Sequence, residues 1–393
     1  MKILSVNAGS SSLKFQMYEM PEEKVLISGV FERIGLENSF YTIKLNGEKI
    51  KKECTLKDHS DAVNVLINEL LENKVINSLD EIKGVGHRLV HGGEKYSESV
   101  VINDDVIKTV DELSELAPLH NPANLIGVRA FIENIPNAMQ VGCFDTAFHQ
   151  TMKEEEFLYP VPYEWYTKYG VRKYGFHGMS HNYIANRTAE ILDNPSAKII
   201  SCHIGNGGSI CAIKDGKSID TSMGFTPNAG LMMGSRSGGI DATLIPYVMR
   251  KANKTMEEVF EDLNKNSGYL GISGISSDSR DIEEAIVEGN KRAKLSQDIY
   301  VHKIVNYIAR YFVELNGVDA IVFTAGVGEN SIETRKEIIE RLEALGVKLD
   351  DARNNIRGKE ALISADDSNI KVYVIPTDEE VMIARDTYKY IKE

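Results

Sequence analysis

One supersecondary pattern occurs twice in this chain and restricts what it can fold into. Near the start the sequence reads M-K-I-L-S-V-N-A-G-S-S-S-L-K-F-Q-M-Y. Ile3, Leu4 and Val6 favour extended backbone, Phe15, Met17 and Tyr18 resume it, and the stretch from Asn7 to Ser12 is turn chemistry. Residues 199–213, I-I-S-C-H-I-G-N-G-G-S-I-C-A-I, repeat strand, small-residue tip, strand. Laying Ile3 on Ile199 brings Ser5 onto Ser201, Asn7 onto His203 and Gly9 onto Gly205. A third tip is expected at Gly326-Val327-Gly328-Glu329-Asn330, after an apolar strand over 320–323. Three such tips imply two related domains that hold a nucleotide between them.

A hairpin tip built this way turns amides and the hydroxyls of Ser10 and Ser12 outward, a nest of donors that suits an anion. Lys14 adds a point charge where the second strand begins, and the Asn7 carbonyl oxygen can serve a metal. The first copy alone fits an ordinary surface hairpin equally well; its recurrence tips the reading towards a phosphate grip. Other phosphate motifs are missing. Gly216-Lys217-Ser218 resembles the end of a Walker loop, but Cys211 stands where the first glycine belongs, and no G-x-G-x-x-G occurs at the tips.

With 393 residues, the chain should form two or three domains, each with its own core. A formal net charge of -13 argues against nucleic-acid or anionic-membrane partners and towards a small-molecule enzyme. No apolar run approaches the roughly 18 residues that span a bilayer, and the first residues are too polar for a signal peptide, so a cytosolic protein is expected. Cys54, Cys143, Cys202 and Cys211 form no C-x-x-C pair and lie in strand-like stretches, which predicts buried free thiols and no structural zinc.

In chain order, the Asn46-Gly47 turn joins two antiparallel strands, and Ser60 is placed to cap a helix running to about Asn73. Strands over 82–89 and 139–144 release polar residues at their carboxyl ends, where open α/β sheets place ligands. A helix follows Pro122, and residues 153–169, holding the single tryptophan Trp165, read as an inter-domain segment. Ser180 is placed to cap the next helix. Residues 221–241 form a long Gly- and hydroxyl-rich loop around Arg236, and loops of that length inside a compact domain are usually functional. Helices and strands then alternate to a final helix after residues 376–380. The fold class is α/β with mixed sheets.

Arg88 and Arg236 sit among glycines and strand ends rather than on a solvated helix face. Singly each reads as a salt-bridge partner; together, one from each half, they suit a phosphoryl group in flight and a substrate carboxylate. Asp145 and Glu379 are carboxylates at strand ends, and Glu379 serves equally well as a helix cap. His87-x-x-x-His91 and His177-x-x-x-His181 have metal-like spacing, but the first pair lies on a strand-to-loop turn and the second lacks the Glu of H-E-x-x-H, so hydrogen-bonding roles are preferred. His177, between Phe176 and Gly178, is the histidine best placed to touch a phosphoryl group. No G-x-S-x-G is present for a serine hydrolase.

Taken together, V-N-A-G-S-S-S-L-K-F (6–15), H-R-L-V-H-G-G (87–93), F-D-T-A-F-H (144–149), Y-G-F-H-G (174–178), H-I-G-N-G (203–207), M-G-S-R-S-G (233–238), G-I-S-S-D-S-R-D (274–281), G-V-G-E-N (326–330) and D-E-E (378–380) resemble the acetate kinase family. That family belongs to the acetate and sugar kinase, heat-shock protein and actin superfamily. The resemblance runs the whole chain and implies two duplicated ribonuclease-H-like domains with the active site in the cleft between them. The first would be 1–150 completed by a helix over 381–393, the second, nucleotide-binding one 151–380, and the assembly a homodimer. It implies transfer of the ATP γ-phosphoryl group to acetate, giving acetyl phosphate and ADP, with magnesium or, alternatively, manganese. Asn7 and Glu379 would bind the metal. Lys14, Ser10 and Ser12, with His203, Ile204, Gly205, Asn206 and Gly207, then Asp278, Ser279 and Arg280, and finally Gly326, Val327, Gly328, Glu329 and Asn330, would surround the nucleotide. Arg88 would bind the acceptor, Val90, Leu119, Phe176 and Pro227 its methyl group, and Asp145, His177 and Arg236 would be catalytic. Ser235 and Gly239 depart from the residues frequent at those places, without removing a functional group.

The alternatives are a propionate or butyrate kinase of the same family, separated only by pocket volume, and more remotely a nucleotide-dependent chaperone or filament protein. A non-catalytic binding module would explain the tips but not Arg88, Asp145, His177 and Arg236 together.

Overall fold

A computed structural model describes residues 1–118 and 120–392. The chain divides into two compact units, residues 1–148 with 378–393, and residues 149–377.

The first unit is built on a mixed eight-stranded sheet: β1 (Lys2–Ala8), β2 (Ser12–Glu19), β3 (Lys24–Glu32), β4 (Phe40–Leu45), β5 (Glu48–Glu53), β6 (Ile82–Leu89), β7 (Val100–Val101) and β8 (Met139–Phe144), in the order β5-β4-β3-β2-β1-β6-β8-β7. Strands β1 to β5 form an antiparallel meander, whereas β6 and β8 run parallel to β1. Strand alternation puts Leu4, Val6, Leu13, Phe15 and Met17 into a core with Val63, Leu66 and Leu70 of the helix His59–Glu72. That helix is capped by Asp58, whose side chain accepts from the Asp61 amide, and not by Ser60, which lies one residue inside it. The helix Glu379–Lys392 returns to this unit and lies on β6. A Cβ at Gly84 would stand 2.6 Å from both Thr387 Cγ2 and Ile391 Cδ1, and one at Gly86 would overlap Ile383 and Thr387. The Gly84-Val85-Gly86 spacing is therefore a groove for this helix.

The second unit repeats the plan with β9 (Lys198–Ile204), β10 (Gly208–Lys214), β11 (Lys217–Thr221), β12 (Ala320–Thr324), β13 (Ala361–Leu362) and β14 (Lys371–Val374), ordered β11-β10-β9-β12-β14-β13. Three antiparallel strands again adjoin two parallel ones, so β3-β2-β1-β6-β8 corresponds to β11-β10-β9-β12-β14. The duplication read from the sequence is present in the topology. Its register carries a detail the alignment of first strands misses. Ala8 pairs with Leu13 across residues 9–12, whereas Ile204 pairs with Gly208 across 205–207. The second tip is one residue shorter, so the counterpart of Lys14, which faces Asn7, is Ser209, which faces His203.

Three further expectations are corrected. The third tip is a helix start rather than a glycine turn: β12 runs straight into a short helix, Ala325–Asn330. The helix Gly178–Leu192 starts at His177, in the left-handed region at φ 57°, and Ser180 points instead to His203. Residues 153–169 belong within the second unit, where they form the short helices Glu154–Phe157 and Tyr163–Tyr169. All four cysteines are free thiols, three of them buried.

Candidate active-site groups

In the first unit the proposed residues gather at the carboxyl ends of β1, β6 and β8 and the start of the last helix. Arg88 is gripped by Asp145 through two bonds, Nε to Oδ1 at 3.0 Å and Nη2 to Oδ2 at 2.5 Å. The pair leaves three of the five guanidinium N–H groups for other partners. Lys14 forms an ion pair with Glu380. Asp378, not Glu379, caps the final helix, accepting from the Val381 amide at 2.9 Å. Glu379 is therefore not the cap; its carboxylate has no hydrogen-bond partner among the described residues, and neither does the Asn7 side chain. Burial first, then the carboxylates of Asp145 and Glu380, push the Glu379 carboxyl up to about 7, with Arg88 and Lys14 opposing. Three acids against two cations leave this corner short of positive charge. Val90 is buried, its amide donating to Asn124 Oδ1. Leu119 lies outside the described residues.

In the second unit two histidine rings, His177 and His203, stack with centroids 4.0 Å apart. Gly207 lies beside the His177 ring. A Cβ built on it would stand 3.7 Å from His177 Cε1 and Nε2 and 3.8 Å from Arg236 Nη1, so both side chains face the space over this glycine. Arg236 donates from Nη1 to the Pro227 carbonyl at 3.1 Å and forms no ion pair among the described residues, while burial lowers its guanidinium from its ordinary range. A half-buried cation without a counter-ion is a receptor for an anion. Phe176 is buried, and its carbonyl accepts from His149 Nε2 at 2.9 Å.

Beside these groups lies a cavity of about 530 Å³ walled by Gly205, Asn206, Asp278, Ser279, Arg280, Gly326, Val327 and Asn330. Asp278 caps the helix Ser279–Val287 and pairs with Arg280, which holds its carboxyl down at about 2. Tyr269, Glu283 and Arg357 also line it and were not foreseen. Nothing in the local sequence marks Tyr269 or Glu283; Arg357, beside the Gly358 turn, offers the one signal that could have been read. Ile204 is buried in the core, and Glu329 turns inward to the amides of Ala325 and Thr377. Gly328 gives its carbonyl to the buried Arg335. These three support the cavity from behind. The histidine pairs do not gather as metal sites: His87 bonds to Gln140, and His177 and His181 share Ser209.

A duplicated mixed sheet, a glycine-walled cavity and an arginine awaiting an anion define a nucleotide-dependent phosphotransferase. Comparison with known proteins is specific. The acetokinase family profile matches residues 2–385. An acetate kinase of Geobacillus sp. (strain WCH70) is 58% identical over 390 residues, covering 99% of this chain and 98% of that one. The crystal structure of Porphyromonas gingivalis acetate kinase superposes with a TM-score of 0.95 at 47% identity, covering all of both chains. A propionate kinase from Francisella tularensis subsp. tularensis SCHU S4 gives 0.94 at 41% identity, covering 99% of each. The chain belongs to the acetokinase family.

Proposed function

We propose that this chain is an acetate kinase, transferring the γ-phosphoryl group of ATP reversibly to acetate to give acetyl phosphate and ADP. The observation that carries the reading is Arg236, without a counter-ion among the described residues, facing with His177 the space over Gly207 beside the cavity. In-line transfer between two anions needs donors where negative charge spreads over the equatorial oxygens, and these two side chains supply them. Acetate is already ionised at pH 7, its pKa being about that of a free Glu, so its attack needs no general base. Asp145 then acts by holding Arg88, whose remaining N–H groups bind the acetate carboxylate. The nucleotide takes the cavity of the second unit, and Lys14, Ser10 and Ser12 are the phosphate-binding groups of the first.

Magnesium fits the oxygen donors of Asn7 and Glu379, which are hard ligands without other partners in a corner with excess negative charge. Bound there it would supply charge neutralisation to the ATP phosphates. No described helix is long and apolar enough to cross a membrane, and a cytoplasmic location goes with the co-substrates. The helices Leu244–Ala252 and Met256–Lys265 support a homodimer: Leu244, Tyr247, Met256 and Phe260 are exposed. Arg250 and Lys251 lie in the last turn of the first helix and Glu257, Glu258 and Glu261 on the second, so the apolar patch is flanked by both signs of charge. Light scattering after gel filtration should give twice the chain mass, and Phe260→Glu should halve it.

The activity is tested by acyl hydroxamate formation with Mg-ATP and hydroxylamine, comparing acetate, propionate and butyrate at matched concentration. Acetate should give most product, and Val90→Ala should shift the ratio towards propionate by roughly tenfold, the worth of about one methylene. A butyrate preference would overturn the substrate, and absence of product from folded, ATP-binding protein would overturn the reaction.

A further inference from the structure

His181 was singled out by its spacing from His177, yet phosphoryl transfer as derived above does not use it. The two residues lie one turn apart, His177 capping the helix Gly178–Leu192 and His181 inside it, above the β9–β10 face that carries Ser201, His203 and Ser209. Between the rings stands one hydroxyl. Ser209 Oγ is 2.9 Å from His177 Nδ1 and 2.8 Å from His181 Nε2, and His181 Nδ1 is 2.9 Å from Ser201 Oγ. His181, Ser201 and Ser209 are all fully buried.

A hydroxyl has one proton, so Ser209 can donate to only one of the two rings and must accept from the other. His181 is neutral, because burial and the neighbouring His149 and His203 depress its basicity well below the ordinary value, and so it carries a proton on one nitrogen only. The whole row therefore has two consistent directions. In one, His177 is protonated at Nδ1 and, when neutral, aims a lone pair at the space over Gly207, where a phosphoryl oxygen would be repelled. In the other, Ser201 donates to His181 Nδ1, His181 Nε2–H donates to Ser209, and Ser209 donates to His177 Nδ1.

We propose that Ser209 and His181, seated on Ser201, are positioning residues that lock His177 in the tautomer with its proton on Nε2, the atom that faces the space shared with Arg236. The stacked His203 ring, itself tied through Nδ1 to Ser180 Oγ at 2.7 Å, fixes the plane in which that N–H points. Ser209 is also the residue that takes the place of Lys14 in the duplicated hairpin. Where one copy of the fold sets a cation opposite its ligand residue, the other sets a proton relay.

This inference rests on the role given to His177, and the test separates the two. Nitrogen-15 NMR of histidine-labelled wild-type protein near pH 7, read without turnover, should show His177 and His181 both as neutral Nε2–H tautomers. A His177 protonated at Nδ1, alone or together with Nε2, would overturn the relay while leaving the catalytic reading in place. Ser209→Ala should mix the His177 tautomers and lower kcat by about tenfold or more, with KM for acetate and for ATP within about twofold. Loss of kcat with unchanged His177 nitrogen shifts, or unchanged kcat with altered shifts, would overturn the proposal. His177→Ala with near wild-type kcat would instead remove the catalytic reading itself.

Discussion

Arg88 and Asp145 are joined by a two-pronged ion pair in which the carboxylate is almost wholly buried and the guanidinium about three-quarters so. Removing either partner leaves the other charge stranded in low dielectric. Asp145→Ala and Arg88→Ala should each cost about 3 kcal/mol of stability, while the double variant should cost clearly less than their sum. Urea denaturation of all four proteins measures the coupling; strict additivity would mean that the pair is not formed in solution.

The space over Gly207 is open to a methyl group in the resting protein, but the proposed transfer uses it. Gly207→Ala should therefore fold with an unchanged melting temperature, since its Cβ meets nothing nearer than 3.7 Å. It should nevertheless lose kcat by about a hundredfold or more, as should Arg236→Ala. Steady-state kinetics beside a thermal melt checks both halves of this expectation.

Acid stability should be governed by histidines. Burial holds His87, His91 and His149 down at about 4, against an ordinary 6.5 in the unfolded chain. Between those values the unfolded state binds more protons, so stability is fully present above about pH 6.5 and is lost as pH falls towards 4. Each contributes at most roughly 3 kcal/mol by this route. Urea midpoints taken from pH 7 to 4 should fall across that window, and His87→Gln should flatten the fall.

The glycine groove on β6 makes a packing prediction. Gly86→Ala puts a methyl into Ile383 and Thr387 of the final helix and should destabilise by about 1–3 kcal/mol. Increased protease sensitivity in residues 379–392 would identify that helix as the element displaced.

The elements most legible in the sequence were those whose signals are local. Ile3 to Tyr18 announced its hairpin, and residues 139–144 their strand, because strand propensity and turn chemistry act over neighbouring residues. Capping was less legible: Asp58 and Ser60 are both good caps, and only the backbone geometry chooses between them. The helix at the third tip was missed because a glycine-rich stretch after a strand permits a turn or a helix start alike. Arg88, Asp145 and Glu379 could be nominated singly, but the pairing of Arg88 with Asp145 and the capping by Asp378 are relations between distant segments. Tyr269 and Glu283 were invisible for the same reason. The one-residue difference between the two tips, which makes Ser209 the partner of His203, shows only in the register.

Because the first unit is closed by a segment that follows the whole of the second, its assembly during translation has an order. The ribosome must deliver residues 149–377 before the helix that fills the Gly84–Gly86 groove exists. Until then β6 presents a bare apolar trough to solvent. The second unit, continuous in sequence, can be finished while the first still waits for its last piece. Nascent chains arrested before residue 379 should accordingly recruit chaperones that the released protein no longer needs.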